Sequence, residues 1–132
     1  MKKKSPEIPP AAIERLARVA NDDMRADFSQ LARMILAARR RRQDYFDPKL
    51  FYDPSWEILL DLRAHHGEER SAASLFVADF CPPTTGLRHL RHLKAIGLVE
   101  RWVDPGDARR RLVKLSEGGL ASMDRFLSAI LT

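Results

Sequence analysis

Residues 84–119, TTGLRHLRHLKAIGLVERWVDPGDARRRLVKLSEGG, decide the fold. In order they predict a helix bearing Arg and His, an apolar strand, a Pro-Gly turn, an Arg-rich strand and a new helix start. Between Thr84 and Lys114, eight cations (Arg88, Arg91, Lys94, Arg101, Arg109, Arg110, Arg111, Lys114) stand against three acids (Glu100, Asp104, Asp107), an excess equal to the +5 formal charge of the whole chain. A basic excess confined to one short unit is the footprint of a polyanion-binding surface.

The helix predicted at about 83–96 has two faces. At roughly 100° per residue, Leu87, Leu90, Leu93 and Ile96 form an apolar arc, and Thr84, Thr85, Arg88, Arg91 and His92 lie opposite. His89 falls on the boundary. Gly97 ends the helix and Leu98 follows as the hydrophobic contact of a glycine-terminated helix. Leu98 to Val103 then reads as a strand, Asp104-Pro105-Gly106-Asp107 as a turn and Arg110 to Leu115 as the returning strand. Ser116 caps a final helix with Leu120, Met123, Phe126, Leu127 and Ile130 apolar. Gly118 and Gly119 in its first turn lower helix propensity, which a close backbone approach would explain.

Upstream, Pro10 opens an expected short helix through Ala20, with Ile13, Leu16, Ala17 and Ala20 on one face. A second runs to about Arg42, capped by Asn21 or Asp22, with Met24, Phe28, Leu31, Ile35 and Ala38 as a seam against another helix of this chain or a partner. Asp47-Pro48 marks a break. Asp53-Pro54 is an N-cap with Pro at the first helical position, opening a helix to about His65 that buries Trp56, Leu59, Leu60 and Leu62 and stops at Gly67. Ser71 to Phe80 reads as a shorter helix with Leu75, Phe76 and Phe80 apolar, and Cys81-Pro82-Pro83 as a tight connector. Two short helices joined by a few residues, the second carrying the charge, are a helix-turn-helix pattern.

The 132 residues suit one domain with a real core, and 45% hydrophobic with 31% charged residues is the balance of a globular protein. No apolar run approaches the ~18 residues a membrane span needs. Met1-Lys2-Lys3-Lys4 is followed by Ser5-Pro6-Glu7 where a signal peptide would be apolar, so a cytoplasmic protein is expected. The single Cys81 excludes an internal disulfide, and its place before the basic helix fits a small buried residue better than a redox switch. His65-His66 and His89/His92 lack neighbouring ligands for a metal site, and no nucleophile or phosphate loop accompanies the acidic pairs. No enzyme activity, metal or cofactor is expected. The run Arg39-Arg40-Arg41-Arg42 reads first as cations favoured at a helix C-terminus and second as an auxiliary phosphate contact.

The stretch LRHLKAIGLVERWVDPGDARRRLVKLSEGG resembles the MarR family of bacterial transcriptional regulators. The resemblance rests on Leu93, Gly97 and Leu98 at the helix end, Asp107-x-Arg109 in the wing, and Leu115-Ser116-x-x-Gly119 after it. It covers residues 54–119 well and the flanking helices by position. It implies a mainly α fold with a small β-hairpin wing (α+β), a winged helix-turn-helix flanked by N- and C-terminal dimerisation helices. The corresponding divisions are a flexible basic leader (1–9), N-terminal dimerisation helices (10–46), the DNA-binding domain (47–115) and a C-terminal dimerisation helix (116–132). The resemblance further implies a homodimer on double-stranded DNA, with the recognition helix in the major groove, the wing (103–111) at the minor groove and a small-molecule effector. Thr84, Thr85, Arg88 and His92 would face bases or phosphates, Arg109 would be the wing tip, and Asp107 would hold the wing by pairing with an Arg. The single helix at 116–132 stands where the family has a pair, and the extra N-terminal helix is expected to compensate.

Physical chemistry supports these roles independently. Arg88 lies near the helix start, where a guanidinium can bond guanine O6 and N7 together. Arg109, Arg110 and Arg111 alternate in direction along a strand, so they divide between minor groove, phosphate and solvent. Arg91 adds to the same outward face. The alternative function is a winged-helix adaptor that binds proteins and has no DNA target.

Overall fold

A computed structural model describes residues 28–51, 53–78 and 81–131 of the chain. The leader, the expected helix at 10–20, Met24 and Phe80 lie outside the described residues. The elements are helix α1 (28–41), two 3-10 turns at Arg42–Asp44 and Pro48–Phe51, α2 (Pro54–Ala64), strand β1 (Arg70–Ser71), α3 (Ala72–Ala78), α4 (Pro83–Ala95), β2 (Val99–Asp104), β3 (Asp107–Leu115) and α5 (Glu117–Leu131).

Local chemistry accounts for the boundaries. The Asp53 carboxylate accepts from the Trp56 amide, and Pro54 occupies the first turn of α2. Ser71 caps α3 by accepting from the Ser74 amide at 3.2 Å. The turn into α4 is closed by the Cys81 amide, which donates to the Phe76 carbonyl at 2.9 Å. At the far end of α4, Leu98 N–H donates to Leu93 and Gly97 N–H to Lys94, with Gly97 at φ +81°. This paired closure needs a left-handed residue at its centre, hence glycine.

Among the described residues the sheet has three antiparallel strands in the order β1-β3-β2, one more than the hairpin predicted from sequence. Val113, on the central strand, stands opposite Arg70 on one side and Arg101 on the other. Two residues are too few to show an alternating pattern, which is why β1 escapes a reading by periodicity.

The core is formed by Phe28, Ala32 and Leu36 of α1, Ile58, Leu60 and Leu62 of α2, Leu75 and Phe76 of α3, Leu90 and Leu93 of α4, Val99 and Val113 of the sheet, and Met123 and Leu127 of α5. The expected faces shift in three places. In α1 the buried line is Phe28, Ala32 and Leu36, while Leu31 and Ile35 pack on its flank and Ala38 is exposed. In α2, Ile58, Leu60 and Leu62 are buried and Trp56 and Leu59 only partly so, because this helix is surrounded on several sides and has no clean amphipathic stripe. Trp56 meets Phe126 of α5 edge to face, 5.1 Å between centroids. In α4, Leu90 and Leu93 are buried, Leu87 is partly buried, and Ile96 is exposed because the chain turns away at Gly97.

Close approaches fix the remaining packing. A methyl group on Gly86 would overlap the Phe76 ring, so this position allows α3 and α4 to cross tightly. A methyl on Gly119 would overlap the Leu98 carbonyl, whereas Gly118 has room for one. The close approach expected near these glycines is therefore made at Gly119. Ser116 completes the junction: its amide donates to the Leu98 carbonyl, its hydroxyl donates to the Gly97 carbonyl, and the same oxygen accepts from the Gly119 amide. The Gly97-Leu98 and Ser116-x-x-Gly119 spacings are two halves of one clasp.

Candidate nucleic-acid interface

Helix α4 presents Thr84, Arg88, Arg91 and His92 to solvent, with Thr85 half-buried beside them. Arg88, Arg91 and Lys94 make no ion pair among the described residues. His89, on the boundary of the face, is taken up by the fold: its Nδ1 lies 2.7 Å from the Ser55 hydroxyl at the start of α2. That bond fixes the rotation of α4 and so helps to aim its outward face.

The wing is ordered at its tip by two short carboxylate loops. Asp104 accepts from the Gly106 amide at 2.8 Å and from the Arg110 guanidinium at 3.0 Å. The amide bond, then Arg110, hold the Asp104 carboxyl below its ordinary pKa. Arg110 also bonds Glu69, and the two carboxylates raise its own pKa. Asp107 accepts from the Arg109 amide at 3.0 Å and lies 3.6 Å from the Arg109 guanidinium. The Arg109 side chain remains 95% exposed. Arg111 is exposed and donates to the Ala108 carbonyl at 3.0 Å. The three consecutive wing arginines thus diverge, as strand alternation dictates: Arg110 turns into carboxylates and Arg109 stands in solvent.

Sequence placed Asp104 in the wing turn and Glu69 in an acidic pair, but not their link to Arg110, because that link depends on the sheet. Arg101 was counted only as charge. Its position two residues from Val103, with Val103 opposite Arg111, is the signal that places it on the same sheet face as Arg111. Lys114 pairs with Glu100 at 3.4 Å and lies over the Trp102 ring, away from the open cations. A cavity of about 560 Å³ lies between α3 and the wing, lined by Phe76, Val77, Cys81, Arg109 and Arg110 among others.

The other basic run is largely structural. Arg39 pairs with Glu57 and Asp53, Arg40 bonds Asp61, and Arg42 donates to the Arg39 carbonyl. Asp61 and Arg63 in α2 are fully buried, which sequence reasoning missed. Asp61 also bonds Arg70, and His65 lies 3.3 Å from it. Arg63 bonds Asp124 and the Ser29 hydroxyl. This network joins α1, α2, β1 and α5. Cys81 is buried, and no group of three or more potential metal ligands occurs among the described residues. No described helix is long and apolar enough to cross a membrane.

No family model and no curated protein matches the chain. Solved structures do. S. aureus MepR in its DNA-binding conformation is similar over 89% of this chain and 76% of that one, with a TM-score of 0.56 and 21% identity. The S. aureus MepR–DNA complex is similar over 88% and 82%, with a TM-score of 0.55 and 22% identity. The transcriptional regulator PA4135 is similar over 95% and 77%, with a TM-score of 0.52 and 19% identity. The fold is the winged-helix architecture of these solved structures. At such identities the likeness is one of fold, and it agrees with the α+β winged architecture implied by the wing motifs.

Proposed function

We propose that the protein is a sequence-specific, double-stranded DNA-binding transcriptional regulator that acts as a homodimer. The observation that carries this reading is the open face of α4, where Thr84, Thr85, Arg88, Arg91 and His92 sit beside a wing whose Arg109 is almost wholly exposed. The fold shared with the MepR–DNA complex supports it. Residues 47–115 form the DNA-binding part. Arg88 and the threonines read bases in the major groove, Arg91 and His92 contact the flanking backbone, and Arg109 enters the minor groove with Arg111 behind it. Asp107 orders the wing turn through the Arg109 amide, and Arg110 braces the wing between Glu69 and Asp104.

Dimerisation falls to 10–46 and 116–132. Support comes from apolar side chains left open on these elements, including Met34, Ile130 and Leu131. A small-molecule effector is part of the same proposal, and the cavity between α3 and the wing has the size for one.

Selection of bound sequences from a random duplex pool tests the reading. A palindromic consensus is expected, with half-sites about one helical turn apart. Absence of any retarded duplex at low salt would sink it in favour of a protein-binding adaptor.

A further inference from the structure

We propose that Arg101, together with Lys94 and Arg111, forms a seat for one backbone phosphate of the bound nucleic acid, in the crevice between α4 and the wing. The proposal rests on the DNA-binding reading above and adds a contact site on β2. Arg101 lies midway along β2, opposite Val113, and Arg111 lies opposite Val103 on the neighbouring strand. Side chains two apart on a strand share a face, so Arg101 and Arg111 point to the same side of the sheet. A recess of about 190 Å³ there is lined by Lys94, Arg101, Trp102, Val103 and Arg111, and no carboxylate lines it.

Arg101 is poorly satisfied by its own fold. Its Nε is buried and has no hydrogen-bond partner among the described residues. Burial, and then the charges of Arg91 and Arg111, lower its pKa from the ordinary arginine value. The nearest acids along the hairpin are committed elsewhere: Glu100 to Lys114, Asp104 to Gly106 and Arg110, and Asp107 to the Arg109 amide. A buried donor without an acceptor and a group of like charges without a counter-ion both oppose folding. An oxyanion entering the recess relieves both at once. With α4 in a major groove and the wing in the adjacent minor groove, the strand that divides the grooves crosses this crevice and brings a phosphate to it.

The test is the salt dependence of binding to random duplexes by wild type, Arg101→Met and Arg101→Lys. Loss of one phosphate contact in Arg101→Met should reduce the slope of log K against log[salt] by about 0.9, which is about eightfold in affinity at ~0.1 M salt, irrespective of sequence. Arg101→Lys should keep the slope. The melting temperature of free Arg101→Met should stay level or rise, because an unsatisfied cation has been removed. An unchanged slope in Arg101→Met, with wild type still binding, overturns the phosphate seat alone. A fall in melting temperature alongside weaker binding overturns it in favour of a structural role. Failure of wild type to bind any duplex overturns the DNA reading and this proposal with it. If inorganic phosphate stabilises wild type but not Arg101→Met while the slope is unchanged, the recess belongs to a free anion and the proposal also falls.

Discussion

The centre of α2 and the open face of α4 use arginine under opposite conditions. At the centre, Arg63 is fully buried against Asp124 and Ser29, while Arg40 and Arg70 converge on buried Asp61. On the open face, Arg88, Arg91 and Lys94 meet no carboxylate among the described residues. A cation removed from water must be paired, so the inner arginines become joints between helices. A cation that stays in water loses little by remaining unpaired, so the outer ones stand open to solvent. The density of arginine is similar in 39–42 and 109–111, yet only the pattern of acceptors separates a brace from an open cation. Arg110 makes the point within the wing, since it is held by two acids while Arg109 beside it stands free of burial.

Asp61→Ala should have the largest effect. Removing the shared acceptor leaves Arg40, Arg70 and His65 facing one another, for a loss of about 3 kcal/mol of folding stability. Urea unfolding measures it, and a loss below about 1 kcal/mol would place this network among ordinary surface pairs. The outer face should respond in binding and not in stability. Arg88→Ala is expected to weaken specific binding by ~1–3 kcal/mol and relax the preference at one base of each half-site, with an unchanged unfolding midpoint. Arg109→Ala should instead weaken binding evenly across sequences and lower the salt slope by about 1. Identical behaviour of the two variants on a selected operator would erase the division between base reading by Arg88 and minor-groove attraction by Arg109.

The smallest expected effect concerns Asp104. Its folded pKa is depressed, first by the Gly106 amide and then by Arg110. The contribution to wing order is therefore complete above the ordinary aspartate value of 3.8 and disappears as the pH falls through the lower, folded value. The Gly106 amide resonance should titrate below 3.8; a midpoint at or above it would break the link between Asp104 and the wing turn.

Sequence legibility tracked the range of the interactions involved. The α4-wing-α5 segment was readable because its signals are local: Pro83 at a helix start, Gly97 past its end, alternation along β2 and β3, and a serine cap. The outward positions of Arg88, Arg91 and His92 followed from helical spacing alone. The buried pair of charges in α2 was not readable, because Asp61 and Arg63 in a helix look like a solvated face until α1, β1 and α5 bring their partners. Nor could α1 declare which of two adjacent apolar lines it buries, since Leu31-Ile35 and Phe28-Ala32-Leu36 differ by one step of rotation.

By itself, then, the sequence determined the helices and hairpin from α2 to α5, the two faces of α4 and the wing turn, all set by residues within a few positions of one another. The tertiary structure alone decided which charges are spent inside the fold. Pairing requires an acceptor within hydrogen-bond reach, and for Arg63, Arg110 and Arg101 that depends on segments far apart in the chain. For Arg63 and Arg110 such segments supply one; for the Nε of Arg101 no described residue does.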